Sequence, residues 1–404
     1  MSHTKTTNIL ETSCTSCKTY KIQNMTNRQF EIRSRHARIN ILTYETIKHN
    51  NIVSNFTRFN ITNSSIMSSV TSTSSGMECA LLARDGDLEG LKTARLNGCT
   101  WDATTCAAAA LGGHLNVLKY ARQSGCPWDA KTCIAAAEGG NLDILVYAIE
   151  NSCPIDTFFI LAAIKRCDMN ILKFAHERMG KYFTIQECVA AAESGNLDVL
   201  KFVMNIGKPW NENELNLVNM AVIKVGNVEC LKYMFTFGKR VSERMVIEAV
   251  SRGHLDCIKY LYKENKLMLK STGILSSTAA AASGHLDCLK FLHSKGCEWF
   301  SSTVNAAASN GHLACLEYAC NEGCPRNDKT CTAAARGGHI ECLKFLKDKC
   351  CFWNEETCAA AASGGHIAVL KWLIDNGCPC DPVVSDAIDK VKPDHPAKKI
   401  KVEA

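Results

Sequence analysis

One phrase recurs eleven times between residues 86 and 365: an alanine-rich stretch, then Gly, then His or Asn, then Leu, then Leu-Lys. Its marker glycines are Gly86, Gly113, Gly140, Gly195, Gly226, Gly253, Gly284, Gly311, Gly338 and Gly365, with Cys167 in the one slot that lacks glycine. Seven of the ten steps are 27 residues and the others 28 or 31, so the phase is kept and the drift is expected to sit in loops. A fixed period of this size is the signature of a stacked array, in which each unit contacts only its neighbours.

The unit is legible in residues 104–126. Thr104, Thr105, Cys106, the alanines 107–110 and Leu111 form a run of helix formers without proline, stopped by Gly112 and Gly113. His114 then opens a second segment in which Leu115, Leu118 and Arg122 fall at i, i+3 and i+7 with Val117 and Ala121 beside them, the spacing of an amphipathic helix. The link Cys126-Pro127-Trp128-Asp129 excludes helix at Pro127 and offers Asp129 as the next N-cap. Helix, tight turn, helix and loop is thus the repeating element. A single pair cannot bury its own apolar stripe, so pairs must stack.

These residues resemble the ankyrin repeats. Ala109-Ala110-Leu111-Gly112-Gly113-His114 matches the Ala-Ala and Gly-His parts of that pattern, and Ala281, Gly284, His285, Leu289, Leu292, Gly296 and Cys297 repeat the match. The start departs from it: Thr104 stands in the family's Thr position, but Cys106 and Ala107 replace Leu and His. A 27-residue unit is also shorter than the usual repeat of roughly 33. The resemblance implies an all-α, ankyrin-like helix-turn-helix solenoid of about eleven short repeats with reduced β-hairpin loops. The wording Gly-His-Leu-x-x-Leu-Lys followed by Gly-Cys-Pro-Trp looks like the divergent ankyrin-like proteins of giant DNA viruses and some protists.

The chain holds 24 cysteines in 404 residues, which in a secreted protein would suggest a disulfide framework. Their phase suggests otherwise. Cys99, Cys126 and Cys153 are 27 apart, as are Cys106 and Cys133, and Cys288, Cys315 and Cys342, so each occupies an equivalent slot. Equivalent slots of packed helices lie about 10 Å apart, beyond the roughly 7 Å Cα limit of a disulfide. Reduced, buried thiols are expected. With neither a secretory leader nor an apolar run of membrane length, the cytoplasm or nucleus is the expected location, and secretion is not.

The two ends differ from the array. Residues 1–76 are rich in Ser, Thr and Asn and read as disordered, with Met77 a candidate start of the native chain and residues 77–389 the array. That segment holds nine Lys or Arg against three acids, which equals the whole chain's net charge of +6. Cys14 and Cys17 have the spacing of half a zinc site without a second pair nearby. The tail, residues 390–404, carries Lys398, Lys399 and Lys401 after Pro393 and Pro396 and resembles a nuclear localisation signal; a plain solvated end is the other reading. Within the array Lys92, Lys119, Lys173, Lys201, Lys232, Lys259, Lys290, Lys344 and Lys371 share one slot, six residues after their markers. Glu89, Asp198, Glu229, Asp256, Asp287 and Glu341 stand three residues earlier on the same face, so a self-neutralised surface is expected rather than a nucleic-acid track.

Two further columns invite a chemical reading. His114, His254, His285, His312, His339 and His366 each follow a marker, and Asp87, Asn141, Asn196 and Asn227 fill the same slot. Interchange of His, Asn and Asp suits a residue that hydrogen-bonds at a helix start or adopts an unusual backbone angle, and histidines in separate units cannot share a metal. No phosphate loop, carboxylate pair or nucleophile elbow is found. No catalytic residue, cofactor or metal site is assigned. Trp101, Trp128, Trp210, Trp299 and Trp353 lie fifteen residues after their markers, in the links. They are either partner-binding residues or hydrophobic staples for the helices they introduce. Phe158, Phe159, Tyr182, Phe183, Phe235 and Phe237 make the middle aromatic, as a recognition patch if exposed and as a packing repair if buried.

The expectation is a monomeric, non-catalytic scaffold that binds a protein, a host protein if the chain is viral, through its loops and first helices. Small-molecule substrate and membrane are not expected. A nuclear or nucleic-acid-associated adaptor using the basic ends is one alternative. A ubiquitin-ligase substrate adaptor is another, without an F-box-like segment in view.

Overall fold

The computed structural model describes residues 74–382 except 208 and 239, and within them the expected helix pairs form. The pairs are α1 (Ser74–Asp85) with α2 (Leu88–Leu96), α3 (Ala103–Gly112) with α4 (Leu115–Gln123), α5 (Ala130–Gly139) with α6 (Leu142–Glu150) and α7 (Phe158–Arg166) with α8 (Met169–Glu177). They continue as α9 (Ile185–Glu193) with α10 (Leu197–Ile206), α11 (Glu212–Val225) with α12 (Val228–Met234) and α13 (Glu243–Ser251) with α14 (Leu255–Glu264). After the short α15 (Lys266–Ser271) come α16 (Gly273–Ala282) with α17 (Leu286–Ser294) and α18 (Ser301–Ser309) with α19 (Leu313–Asn321). The last are α20 (Lys329–Gly337) with α21 (Ile340–Asp348) and α22 (Glu355–Gly364) with α23 (Ile367–Asp375). That is eleven pairs and one extra helix, and no strand forms among the described residues. The readings of residues 1–73, Cys14, Cys17 and the tail with Lys398, Lys399 and Lys401 lie outside the described residues, whereas residues 74–76, the end of the stretch read as disordered, open α1.

Each helix end follows from its own residues. Asp102 and Asp129 accept hydrogen bonds from the Thr104 and Lys131 backbone N–H groups at 2.8 and 2.9 Å, the side-chain caps expected of them. The first helices close with the marker in the left-handed region, as at Gly113 (φ +85°), and the His114 N–H reaches back to the Ala109 carbonyl at 3.0 Å. That is a Schellman closure, which satisfies carbonyls the helix leaves open. Cys167 takes the same role at φ +58°, a position that strains a residue with a Cβ.

The first helices lie against one another through buried alanines such as Ala109, Ala110, Ala136 and Ala137, small enough to let backbones approach. The second helices contribute the larger buried side chains, among them Leu118, Leu145, Leu172 and Leu200. Each such leucine contributes on the order of 1.5–3 kcal/mol. One continuous core results, running from Cys79 to Cys378.

The irregular steps correct one expectation. The two 31-residue steps do not lengthen loops: one extends α11 to 14 residues, and the other inserts α15, capped by Asn265 through the Met268 N–H at 3.0 Å. Extra residues that are themselves helix formers bond internally instead of leaving backbone groups open.

The thiol expectation holds at Cys106, Cys126, Cys133 and Cys188, all fully buried. It is corrected at the last unit, where Cys358 and Cys380 form a disulfide with Cα atoms 5.6 Å apart. The pairing joins the first helix of a unit to the link that follows it, a closer juxtaposition than that between equivalent slots.

Candidate functional site

The histidine slot is a ladder between units. His254, His285, His312, His339 and His366 direct Nε2 to the carbonyls of Lys224, Ser251, Ala282, Ser309 and Arg336 at 3.0–3.1 Å, each two residues before the preceding unit's marker. An acceptor-only partner assigns the proton to Nε2. Asn141 does the same with Nδ2 to the Leu111 and Ala110 carbonyls at 3.2 and 2.8 Å. Where the slot holds Asp168, Arg166 replaces it and donates to the Glu138 carbonyl at 3.0 Å. Asp87, Asp168, Asn196 and Asn227 cap their own helices as expected. The histidines do not; they adopt φ −80°, ψ 72° at His254 and φ −98°, ψ 77° at His114, between the helical and extended regions, with the Leu255 N–H bonded back to the Gly253 carbonyl at 2.9 Å, so of the two readings the unusual backbone angle is the one they follow. Each imidazole instead ties its unit to the one before.

The five tryptophans are half-buried in the links. Trp101 lies under the Arg95 guanidinium at 4.1 Å and meets the edge of Tyr120 at 6.1 Å, so it joins the second helices of the units on either side. Trp128 repeats this with Arg122 (4.1 Å) and Tyr147 (6.3 Å). Arg95 and Arg122 also donate to the carbonyls of Cys99 and Cys126. Trp299 stacks on His293 at 3.9 Å and meets Tyr318 at 6.0 Å, while Trp353 pairs with Trp372 at 5.8 Å beside Lys347. Trp210 donates Nε1–H to the Met204 carbonyl at 3.2 Å. For Trp101, Trp128, Trp299 and Trp353 the aromatic partner sits seven residues after its marker, a column visible in the sequence but missed in it.

The lysine column is locally paired, as expected. Lys92, Lys232, Lys259 and Lys344 reach Glu89, Glu229, Asp256 and Glu341 at 2.7, 2.6, 3.2 and 2.8 Å. Lys119 and Lys290 lie over Tyr147 and Tyr318 at 5.4 and 5.8 Å. Such exposed pairs contribute at most about 1 kcal/mol each, and they leave the second-helix surface charge-balanced and nearly uniform from unit to unit.

The first-helix surface is different. Nine residues before the marker stands a position that is exposed in eight of the eleven units, as Met77, Lys131, Phe158, Gln186, Leu217, Arg244, Lys329 and Glu356, and half-buried in the other three, as Thr104, Leu275 and Ser302. Near the C-terminal end of the array, Asn305, Lys329, Thr332, Ala333, Arg336 and Glu356 line a depression of about 250 Å³ across α18, α20 and α22. The aromatic middle divides between its two readings: Phe159, Phe183 and Phe235 are buried core, whereas Phe158, Tyr182 and Phe237 are exposed.

Comparison with known proteins places these repeats. The family model of ankyrin repeats (3 copies) matches residues 277–356 and 306–386. No curated protein matches the chain. Among solved structures, the pentatricopeptide repeat protein PPR10 in complex with an 18-nt psaJ RNA element is similar at 14% identity and a TM-score of 0.38, over 75% of this chain and 53% of that one. PPR10 from maize is similar at 11% identity and a TM-score of 0.24, over 78% of this chain and 60% of that one. The chain thus spans little more than half the length of the structures it matches. No helix of the described residues is long and apolar enough to cross a membrane. The chain carries ankyrin repeats, recognised by the family model within residues 277–386.

Proposed function

We propose that the array is a non-catalytic scaffold that binds a protein partner through its first-helix and loop face, working as a monomer in the cytoplasm or nucleus. One observation carries the reading: a single equivalent, exposed position changes chemistry from Lys131 to Phe158, Leu217, Arg244 and Glu356 along the array, while the second helices repeat Leu and Lys. Packing demands the same residue at the same slot, so a slot that varies while facing solvent is available for recognition. Exposed Phe158 and Leu217 supply apolar anchors, and Lys329, Arg336 and Glu356 supply charge. In this reading Trp101, Trp128, Trp210, Trp299 and Trp353 hold the links in place and offer the partner only their exposed edges.

The test is affinity capture from cells with the full chain, compared with Phe158→Asp/Leu217→Asp and with a second-helix variant, Lys290→Glu. The proposal expects a protein lost from the first-helix variant and kept by the other. A partner lost only through Lys290, or capture that is released by nuclease, overturns it. The latter outcome would favour the nucleic-acid adaptor.

A further inference from the structure

The seventh residue before a marker and the thirteenth after it are both cysteine in five units: Cys79 and Cys99, Cys106 and Cys126, Cys133 and Cys153, Cys331 and Cys351, Cys358 and Cys378. The fold brings such pairs together. Cys79 and Cys99 have sulfurs 3.0 Å apart, and Cys106, Cys133 and Cys331 are hydrogen-bonded to Cys126, Cys153 and Cys351. The loop thiol also meets the carbonyl at the start of its unit's first helix, as Cys126 does with Asp102 at 3.2 Å and Cys378 with Asn354 at 3.5 Å. A thiol pair is therefore a built feature of the unit.

The last unit adds a third sulfur. Its link reads Gly377-Cys378-Pro379-Cys380, and Cys380 occupies the slot that holds tryptophan in five earlier links. Cys358, Cys378 and Cys380 lie with their sulfurs within 4.8 Å of one another. Cys358 and Cys378 are buried, and Cys380 is half-buried, so the cluster opens to solvent on the Cys380 side. A disulfide uses only Cys358 and Cys380, which leaves Cys378 as a sulfur that bond does not need.

We propose that Cys358, Cys378 and Cys380 are a ligand set for a thiophilic cation of the Zn²⁺ and Cd²⁺ class, which the reduced chain binds. Thiolates are the preferred ligands of such ions. Three of them leave a fourth, tetrahedral position open to water on the exposed side. Opening the site requires a reductant such as a cellular thiol. The Cys358–Cys380 S–S bond breaks, both cysteines gain a proton and an electron, and two reductant thiols join as a disulfide. Binding the cation then releases thiol protons to solvent. Oxidised, the chain cannot bind it, so the site has two exclusive states.

The experiment uses the full chain reduced with a phosphine, titrated with Cd²⁺ and followed by thiolate-to-metal absorbance and native mass spectrometry. One Cd²⁺ is expected to bind at this cluster and, as the softer ion on a thiolate set, to displace Zn²⁺ loaded there first. Cys380→Trp restores the residue of the other links and keeps every thiol pair, and it is expected to weaken that binding by on the order of 100-fold. Cys380→His, which returns a ligand, should recover binding with a weaker thiolate band. Equal uptake by wild type and Cys380→Trp would assign Cd²⁺ to the general thiol pairs and overturn the proposal, as would no uptake by the reduced wild type.

Discussion

At the residue scale, the His285 imidazole donates to a carbonyl of the preceding unit at 3.0 Å, and that carbonyl belongs to the end of α13, where helical partners run out. His285→Ala is expected to lower stability by about 1 kcal/mol, whereas His285→Asn should recover most of it, because Asn141 makes the same bond in its own unit. Urea denaturation of the variants checks both. A histidine retained for its charge would not be rescued by asparagine. The marker slot gives a second test. A Cβ on Gly284 would stand 2.6 Å from the His312 ring at φ +76°, so Gly284→Ala meets both backbone strain and a side chain that cannot yield without losing its own hydrogen bond. It should cost more than about 1 kcal/mol. Cys167→Gly runs the other way. Cys167 already bears the strain at φ +58°, and relieving it should raise stability by about 0.5–1 kcal/mol, read as a higher denaturation midpoint.

At the scale of elements, the links couple one helix pair to the next. Arg122 on α4 covers Trp128 at 4.1 Å, and Trp128 meets Tyr147 on α6. A double-mutant cycle with Arg122→Met and Trp128→Leu should therefore return a coupling of about 0.5–1 kcal/mol. Additive effects would mean that the two side chains only share a neighbourhood. Much of this level was legible in the sequence. The helix read across residues 104–111 is observed as Ala103–Gly112, and Asp102 and Asp129 are the caps their type suggested. What was not legible has a common cause. Trp128 finds Tyr147 nineteen residues on, and His285 finds a backbone carbonyl 34 residues back. The carbonyl lies beyond one period and a backbone oxygen leaves no mark in the sequence, whereas the ring partner keeps a fixed slot seven residues after its marker but belongs to the following unit. Cys358 likewise meets Cys380 within its own unit, whereas comparing equivalent slots looks only between units. The two 31-residue steps showed that residues were inserted, but a period counted on glycines says nothing about their conformation. Lys266–Ser271 became a helix because Asn265 could cap it.

For the array as a whole, stability is shared among units through nearest-neighbour interfaces, so a perturbation repeated in every unit accumulates. Buried thiols are such a feature. Desolvation pushes Cys188 and Cys324 to about 12 and Cys257, Cys288, Cys315 and Cys342 to about 11, against an ordinary thiol near 8.5. The folded array therefore keeps protons that the unfolded chain gives up. These thiols add no pH dependence well below their ordinary pKa. Above it the unfolded state is favoured, with a slope of about 1.4 kcal/mol per pH unit for each thiol, until pH passes the folded values. Urea midpoints measured at fixed ionic strength should show little change from pH 7 to 8 and then fall steeply between about 9 and 11. Replacing Cys288, Cys315 and Cys342 together by alanine should flatten that fall, even though it lowers stability at neutral pH through lost packing. If the alkaline slope is the same in the triple variant, the thiols are not its source, and ionisation of tyrosines such as Tyr233, Tyr260 and Tyr318, whose pKa values burial also raises, takes their place.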